Sequence, residues 1–317
     1  MQLGEIYLKE EELKLIIEPP TWIGDAVMAS GAIAKLIEAI NPKELIYFGS
    51  NAALDVLGIE DGIINKKDFN TFKKFPKGYI FISFRRSLYS KLLGLKSKRA
   101  FFFSSKEKIH YVQRYNNYVN RVLESLNIEF DKRVYKPQLN AKKINLKRPT
   151  IGINPGAAYG SAKRWYPKEF AKVANYLAKD YDIIIFGGPG EEELAADIEK
   201  ELTIKNYQNL CAKLNLTELK NYLASLNGLI TNDSGPMHIA AALNIPIVAI
   251  YGPTDYRYSH PYNTKYKIVT KNLECAPCGK RVCPLKTHEC MKEIKAIDVI
   301  EAIEKSKIFN QNFNIKS

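Results

Sequence analysis

The chain has 317 residues, 46% of them apolar, which is ample for a core and more than one domain usually needs. No run of eighteen apolar residues offers a transmembrane helix, and the N-terminal residues lack the basic start and apolar run of a signal peptide, so a cytoplasmic protein is expected. The net charge of +13 calls for an anionic partner: nucleic acid, a membrane surface or an acidic substrate.

That charge is uneven. Residues 1–148 carry 26 Lys or Arg against 16 Asp or Glu, and residues 149–317 carry 21 against 18. The excess concentrates between Arg85 and Arg114, where nine basic residues accompany one Glu. This stretch reads equally as a solvated basic face or as a docking surface.

In chain order, residues 13–18 form an apolar run that stops at Pro19-Pro20, and residues 25–40 show helical spacing ending before Asn41-Pro42. Residues 44–48, 79–84 and 99–103 read as strands, and 110–126 as a longer helix. Residues 131–149 turn polar and basic, with Pro137 and Pro149, and read as a linker. A second series follows. Its strands are 150–154, 182–187, 208–211, 228–232 and 245–251, and its helices 168–178, 191–201, 217–226, 236–243 and 294–306. The alternation predicts parallel sheets with crossover helices, hence two doubly wound α/β halves, 1–148 and 149–317, facing a cleft. The final helix is free to pack back on the first half.

Several strand-to-helix turns carry chemistry-bearing residues. Asn232-Asp233-Ser234-Gly235 lies between an apolar run and a short helix with Pro236 at its start. Such a turn gathers backbone N–H groups and a positive helix end, which suits a phosphorylated ligand. Asp233 or Ser234 suits the helix cap. Gly24-Asp25 opens the first helix, where Asp25 reads as a cap or as a base at the cleft edge. Asn154-Pro155-Gly156-Ala157 is followed by Lys163-Arg164-Trp165, whose cations could neutralise a diphosphate. Gly187-Gly188-Pro189-Gly190-Glu191 matches neither a dinucleotide fingerprint nor a P-loop; Glu191 could bond ribose hydroxyls or simply favour the helix start. His238 reads as ligand-facing rather than as a nucleophile. Cys275, Cys278, Cys283 and Cys290 permit a structural tetrahedral metal such as zinc, although the spacing is not the usual paired one, and we take them as reduced thiols.

Taken together, these motifs resemble the bacterial lipopolysaccharide heptosyltransferases of glycosyltransferase family 9, and their type II members most. The markers are Trp22-Ile23-Gly24-Asp25, the Asn154–Ala157 and Ala162–Trp165 segments, Asn232 to Ala242, Tyr251-Gly252-Pro253-Thr254-Asp255 and the cysteine segment. The resemblance implies a GT-B fold of two Rossmann-like domains, the first taking the acceptor and the second the nucleotide-sugar. It implies inverting, metal-independent transfer of heptose from ADP-heptose to the heptose-bearing Kdo–lipid A inner core, with no cofactor required. Asp25 would be the general base and Lys163 would stabilise the departing diphosphate. Gly156, Asp233, Ser234, Gly235 and His238 would hold the donor, Lys213 and Leu214 would lie against adenine, and Glu191 would meet the ribose. A monomer held at the cytoplasmic face of the inner membrane by its basic first half is expected. The alternatives are a type I or other core transferase, a nucleotide-sugar epimerase, and a basic nucleic-acid-binding module. No nucleic-acid motif supports the last.

Overall fold

The structure, a computed structural model, describes residues 13–65 and 71–309; the N-terminal residues read for a leader lie outside them. The first half alternates β1 (Lys14–Glu18), α1 (Ile23–Ile40), β2 (Glu44–Gly49), α2 (Asn51–Leu57), β3 (Ile63–Asn65), α3 (Thr71–Lys74), β4 (Ile80–Ser83), α4 (Leu88–Gly94), β5 (Arg99–Phe102) and α5 (Tyr111–Ser125). The second continues with β6 (Thr150–Asn154), α6 (Pro167–Leu177), β7 (Asp182–Ile185), α7 (Glu192–Lys200), β8 (Tyr207–Asn209), α8 (Leu216–Ala224), β9 (Gly228–Asn232), α9 (Gly235–Ala242), β10 (Ile247–Ile250), α10 (Tyr256–Ser259), β11 (Tyr266–Val269), α11 (Glu289–Lys292) and α12 (Ala296–Ser306). No described helix is long and apolar enough to cross a membrane.

Among the described residues every strand pairing is parallel. One sheet runs β3-β2-β1-β4-β5 and the other β11-β10-β9-β6-β7-β8. Both follow the Rossmann order, stepping outward from β1 and from β6. The order reverses between β1 and β4 in one sheet and between β6 and β9 in the other, which is where such sheets bind ligands. The continuous apolar runs suit strands covered on both faces: β4, β6, β9 and β10 are buried throughout.

α1 is apolar almost all round, which requires cover on several sides. It packs on α5 and α2 of its own half and on α9 of the other. Its run of small residues, Ala29-Ser30-Gly31-Ala32, allows close approach. A Cβ at Gly31 would overlap the backbone carbonyls of Tyr135 and Lys136. The interface between the halves is itself an apolar core, in which Ala26, Val27, Ala53 and Val56 pack with Phe186, Leu223, Leu226, Met237 and Ala240. Lys220 of α8 is buried there and donates to the carbonyls of Asp55 and Val56, capping the end of α2.

The segment 131–149 contains no helix or strand, yet it is tied at both ends. The backbone N–H groups of Tyr135 and Gln138 donate to Asn116 and Ser30. Those of Lys142 and Ile144 donate to Asn221 and Ser225 of the second half. α12 packs on α6, β10 and β11 of its own half.

Candidate active site

The site is assembled from turns at the carboxyl edges of the two sheets. α1 begins at Ile23 with Trp22 as its cap residue, and Ala26 N–H already bonds the Trp22 carbonyl. Asp25 therefore sits inside the first turn, and the cap reading of this residue is corrected. α9 begins at Gly235, and Ser234, not Asp233, occupies the cap position. The Ser234 hydroxyl makes no capping bond; it bonds instead with Asn154 Nδ2 at 3.1 Å and Thr231 Oγ1 at 3.2 Å.

The two helix starts face each other across the halves. A Cβ on Gly24 would stand 2.8 Å from His238 Cδ2, and one on Gly235 would stand 3.2 Å from Ile23 Cγ2. Both N-termini direct unpaired N–H groups and positive dipole ends at the shared space. The absence of a side chain at Gly24 and Gly235 is what permits this approach.

Asp25, Lys163 and Asp233 converge in the same space. Lys163, at the end of a short 3-10 turn (Ser161–Lys163), forms a 2.6 Å ion pair with Asp233, and both side chains are largely buried. Thr254 Oγ1 donates to the same carboxylate at 2.7 Å. Asp25 lies close enough to feel both charges. Burial pushes its carboxyl up to about 6; Lys163 pulls it down, Asp233 adds to the rise and a Tyr115 hydrogen bond opposes it. Burial likewise pushes the His238 imidazole down to about 4, with Asp233 opposing, so the ring is neutral at pH 7. Its Nε2 stands 4.0 Å from Asp233 Oδ1.

The remaining residues lie in a row along the same edge. Gly156 follows β6, and the Glu191 carboxylate lies so close that a Cβ on Gly156 would overlap it. Gly188 N–H holds Glu191 Oε2 at 2.9 Å in the turn after β7. Lys213 follows β8, donating to the Asn209 carbonyl at 2.8 Å, and Leu214 joins the apolar core between the halves. The structure thus brings Asp25, Lys163, Asp233 and His238 together, with Ser234 and Gly235 at the helix start beside them. Gly156, Glu191, Lys213 and Leu214 continue outward from that group.

Several contributors escaped sequence reasoning. Tyr115 on α5 reads as a core aromatic, yet it is hydrogen-bonded to Asp25. Thr254 stood only within a motif and had no assigned role. Asn154 Nδ2 reaches Gly156 O, Thr231 and Ser234, while its Oδ1 is buried without a partner. His110 accepts the Val112 N–H at Nδ1 and donates from Nε2 to the His260 carbonyl at 3.0 Å, tying the halves beside the site. No local spacing announces these contacts, which form only when distant segments meet.

The cysteine segment buttresses the Lys163 turn from behind. Ala162 N–H donates to Arg281 O, and His288 Nε2 bonds Ala162 O at 2.9 Å. All four cysteines of the segment line a small cavity with Ala162, Pro253 and His288, and all are free thiols. Among the described residues no three His, Cys, Asp or Glu side chains are grouped to hold a metal ion. Burial raises the Cys290 thiol to about 11, while the backbone N–H of His288 lowers that of Cys283.

Two facing Rossmann sheets with a ligand edge on each define a GT-B glycosyltransferase fold. Known proteins agree: the profile of Glycosyltransferase family 9 (heptosyltransferase) matches residues 93–288. The chain is 36% identical to lipooligosaccharide heptosyltransferase 2 of Campylobacter jejuni subsp. jejuni serotype O:6, over 92% of this chain and 99% of that one. The solved ADP-heptose LPS heptosyltransferase II of E. coli superposes with a TM-score of 0.75 at 21% identity, covering 92% of this chain and 98% of that one. A glycosyl transferase of family 9 from Veillonella parvula DSM 2008 gives 0.77 at 21% identity, covering 94% and 98%. The chain belongs to glycosyltransferase family 9, the heptosyltransferases.

Proposed function

We propose that this glycosyltransferase moves heptose from ADP-heptose to the heptose-bearing inner core of lipopolysaccharide, in a single inverting displacement without a catalytic metal ion. The observation that carries the reading is the meeting of Asp25 from one half with the Lys163–Asp233 pair of the other, between two helix N-termini. Asp25 takes the proton of the acceptor hydroxyl as its oxygen attacks the anomeric carbon. The bond to the diphosphate breaks on the opposite face, and ADP leaves with the charge. A carboxyl raised to about 6 is ionised at neutral pH yet more basic than an ordinary Asp, which suits this work.

Fixed donors receive the departing charge: the Lys163 ammonium and the N–H groups at the start of α9. Lys163 has three N–H bonds, so it can keep Asp233 and still reach a phosphate oxygen. Asp233, a buried carboxylate already engaged by Lys163 and Thr254, acts by orienting Lys163 rather than by touching phosphate. The row from Ser234 through Gly156 and Glu191 to Lys213 and Leu214 suits a diphosphate, a ribose and an adenine in turn. We place the division between acceptor and donor domains at residues 148 and 149. The protein acts as a cytoplasmic monomer, attached to the inner membrane through its basic first half.

The test is transfer from ADP-heptose, in the presence of EDTA, to core acceptors carrying no heptose or one heptose, read as ADP release and product mass. We expect product only from the one-heptose acceptor. Transfer to the heptose-free acceptor would reassign the chain to the type I activity, and loss of turnover in EDTA would reject the metal-free route.

A further inference from the structure

We infer that the outer face of α4, together with Phe72 and the surrounding basic residues, is the surface by which the protein docks on an anionic phospholipid bilayer. The inference rests on the membrane attachment proposed above and assigns it to a place. Leu88, Leu92 and Leu95 follow one another at the i, i+4, i+7 spacing of a single helical stripe. They are 75%, 44% and 82% exposed, although Ser90, Leu93 and Gly94 on the other side of the same segment are buried. The helix thus has a normal inner face and a second apolar face turned to solvent. Scattered surface leucines are ordinary; three in one stripe are not.

Phe72, 46% exposed, extends the patch. The Lys96 ammonium lies 4.7 Å from its ring centroid and donates to the Phe72 carbonyl, which fastens α3 to the end of α4. Residues 69–106 contain ten Lys or Arg and no Asp or Glu. Among them Arg86, Lys91 and Lys98 are exposed on α4 or next to it in the chain, whereas Arg99 turns to the other face of the sheet and bonds Ser125 of α5. An apolar stripe within a field of one sign fits the boundary between acyl chains and anionic headgroups, where leucines insert and the cations stay at headgroup level. Arg85 is held by Glu18, and the segment itself supplies no acidic residue, so a surface of negative headgroups complements it better than a protein partner of mixed charge.

The placement also suits the acceptor. Arg85 and Arg86 follow β4 at the carboxyl edge of the first sheet, the edge that carries Asp25, so the start of α4 points toward the site. A bilayer against α4 would present a lipid-anchored sugar to the Asp25 side of the cleft.

Vesicle sedimentation of the full chain tests this, with phosphatidylcholine alone and with phosphatidylcholine containing phosphatidylglycerol. The wild type should pellet only with the anionic vesicles and be released by high salt. The triple variant Leu88→Ser, Leu92→Ser, Leu95→Ser should lose at least tenfold in partitioning, with unchanged turnover of a soluble, delipidated acceptor. Equal binding by the triple variant would overturn the α4 assignment while leaving membrane attachment standing. A wild type that binds neither vesicle would remove both. A wild-type dimer that the triple variant converts to monomer, without vesicle binding, would make the patch a self-association face and also overturn the inference.

Discussion

Asp25 illustrates how one residue is placed by its sequence and given its chemistry by its surroundings. At the start of a helix the local dipole lowers a carboxyl pKa, and sequence alone therefore argues against a base there. The structure reverses that balance, because burial and the nearby Asp233 carboxylate outweigh the opposing Lys163 and Tyr115. A base with its pKa about 6 must be ionised to act, so kcat/KM should fall roughly tenfold per pH unit below about pH 6 and level off above it. The raised value carries a stability cost of the opposite sign. Between the ordinary 3.8 and about 6 the folded chain binds more protons than the unfolded one, so this group favours folding as pH drops through that window and opposes it at pH 7. Asp25→Asn should thus lower turnover by about 10²–10⁴-fold while stabilising the protein at pH 7 by on the order of 2 kcal/mol. Steady-state kinetics and denaturant melts check both, and an inactive but less stable variant would contradict the account. The residue was legible in the Trp22–Asp25 motif; its partner Tyr115 was not, since nothing in a helical tyrosine foretells which carboxylate it will meet.

Among the elements, those with a long apolar period were legible from sequence to within a few residues. α1, α5, α6 and the strands β6 and β9 lie nearly where periodicity puts them. α2, α3, α4, α10, α11, β3 and β11 were missed. They are short, and α4 carries apolar residues on both faces, which erases the polar–apolar contrast that periodicity needs. α1 holds the site because it can approach its neighbours closely. Gly31 is the tightest point, so Gly31→Ala should drive a methyl group into the backbone of residues 135–136 and destabilise by about 1–3 kcal/mol, with a lower melting temperature. Ala29→Gly, which removes a methyl from the same buried helix without creating a clash, provides the comparison. Propensity acts in opposite directions on the two, favouring Gly31→Ala and disfavouring Ala29→Gly by about 1 kcal/mol, so a loss at Gly31 belongs to the clash, and a raised melting temperature for Gly31→Ala would overturn this account.

At the scale of the whole molecule, charge and alternation announced two α/β halves and a basic first one, but not how firmly they adhere. The apolar interface of Ala26, Val27, Ala53 and Val56 with α8 and α9 uses small and aliphatic residues that look like ordinary core within each half. Which half's core they complete is decided only when the sheets face each other. The same holds for Lys220 and His110, whose partners belong to the opposite half.

The strap at 131–149 reads, from its composition, as a linker between the two halves. Four of its backbone N–H groups are instead held by Asn116 and Ser30 on one side and Asn221 and Ser225 on the other. With these bonds and the apolar interface between the halves, we expect the peptide link there to contribute little to holding the molecule together. If a protease site were engineered between residues 139 and 142 and cleaved, the two fragments should co-elute as one particle and separate only in denaturant. Fragments that part in plain buffer would show that the peptide bond, not the packing, is the joint. A protein whose two halves survive the loss of their tether could be expressed as two chains and reassembled, as a split enzyme that reports when its parts meet.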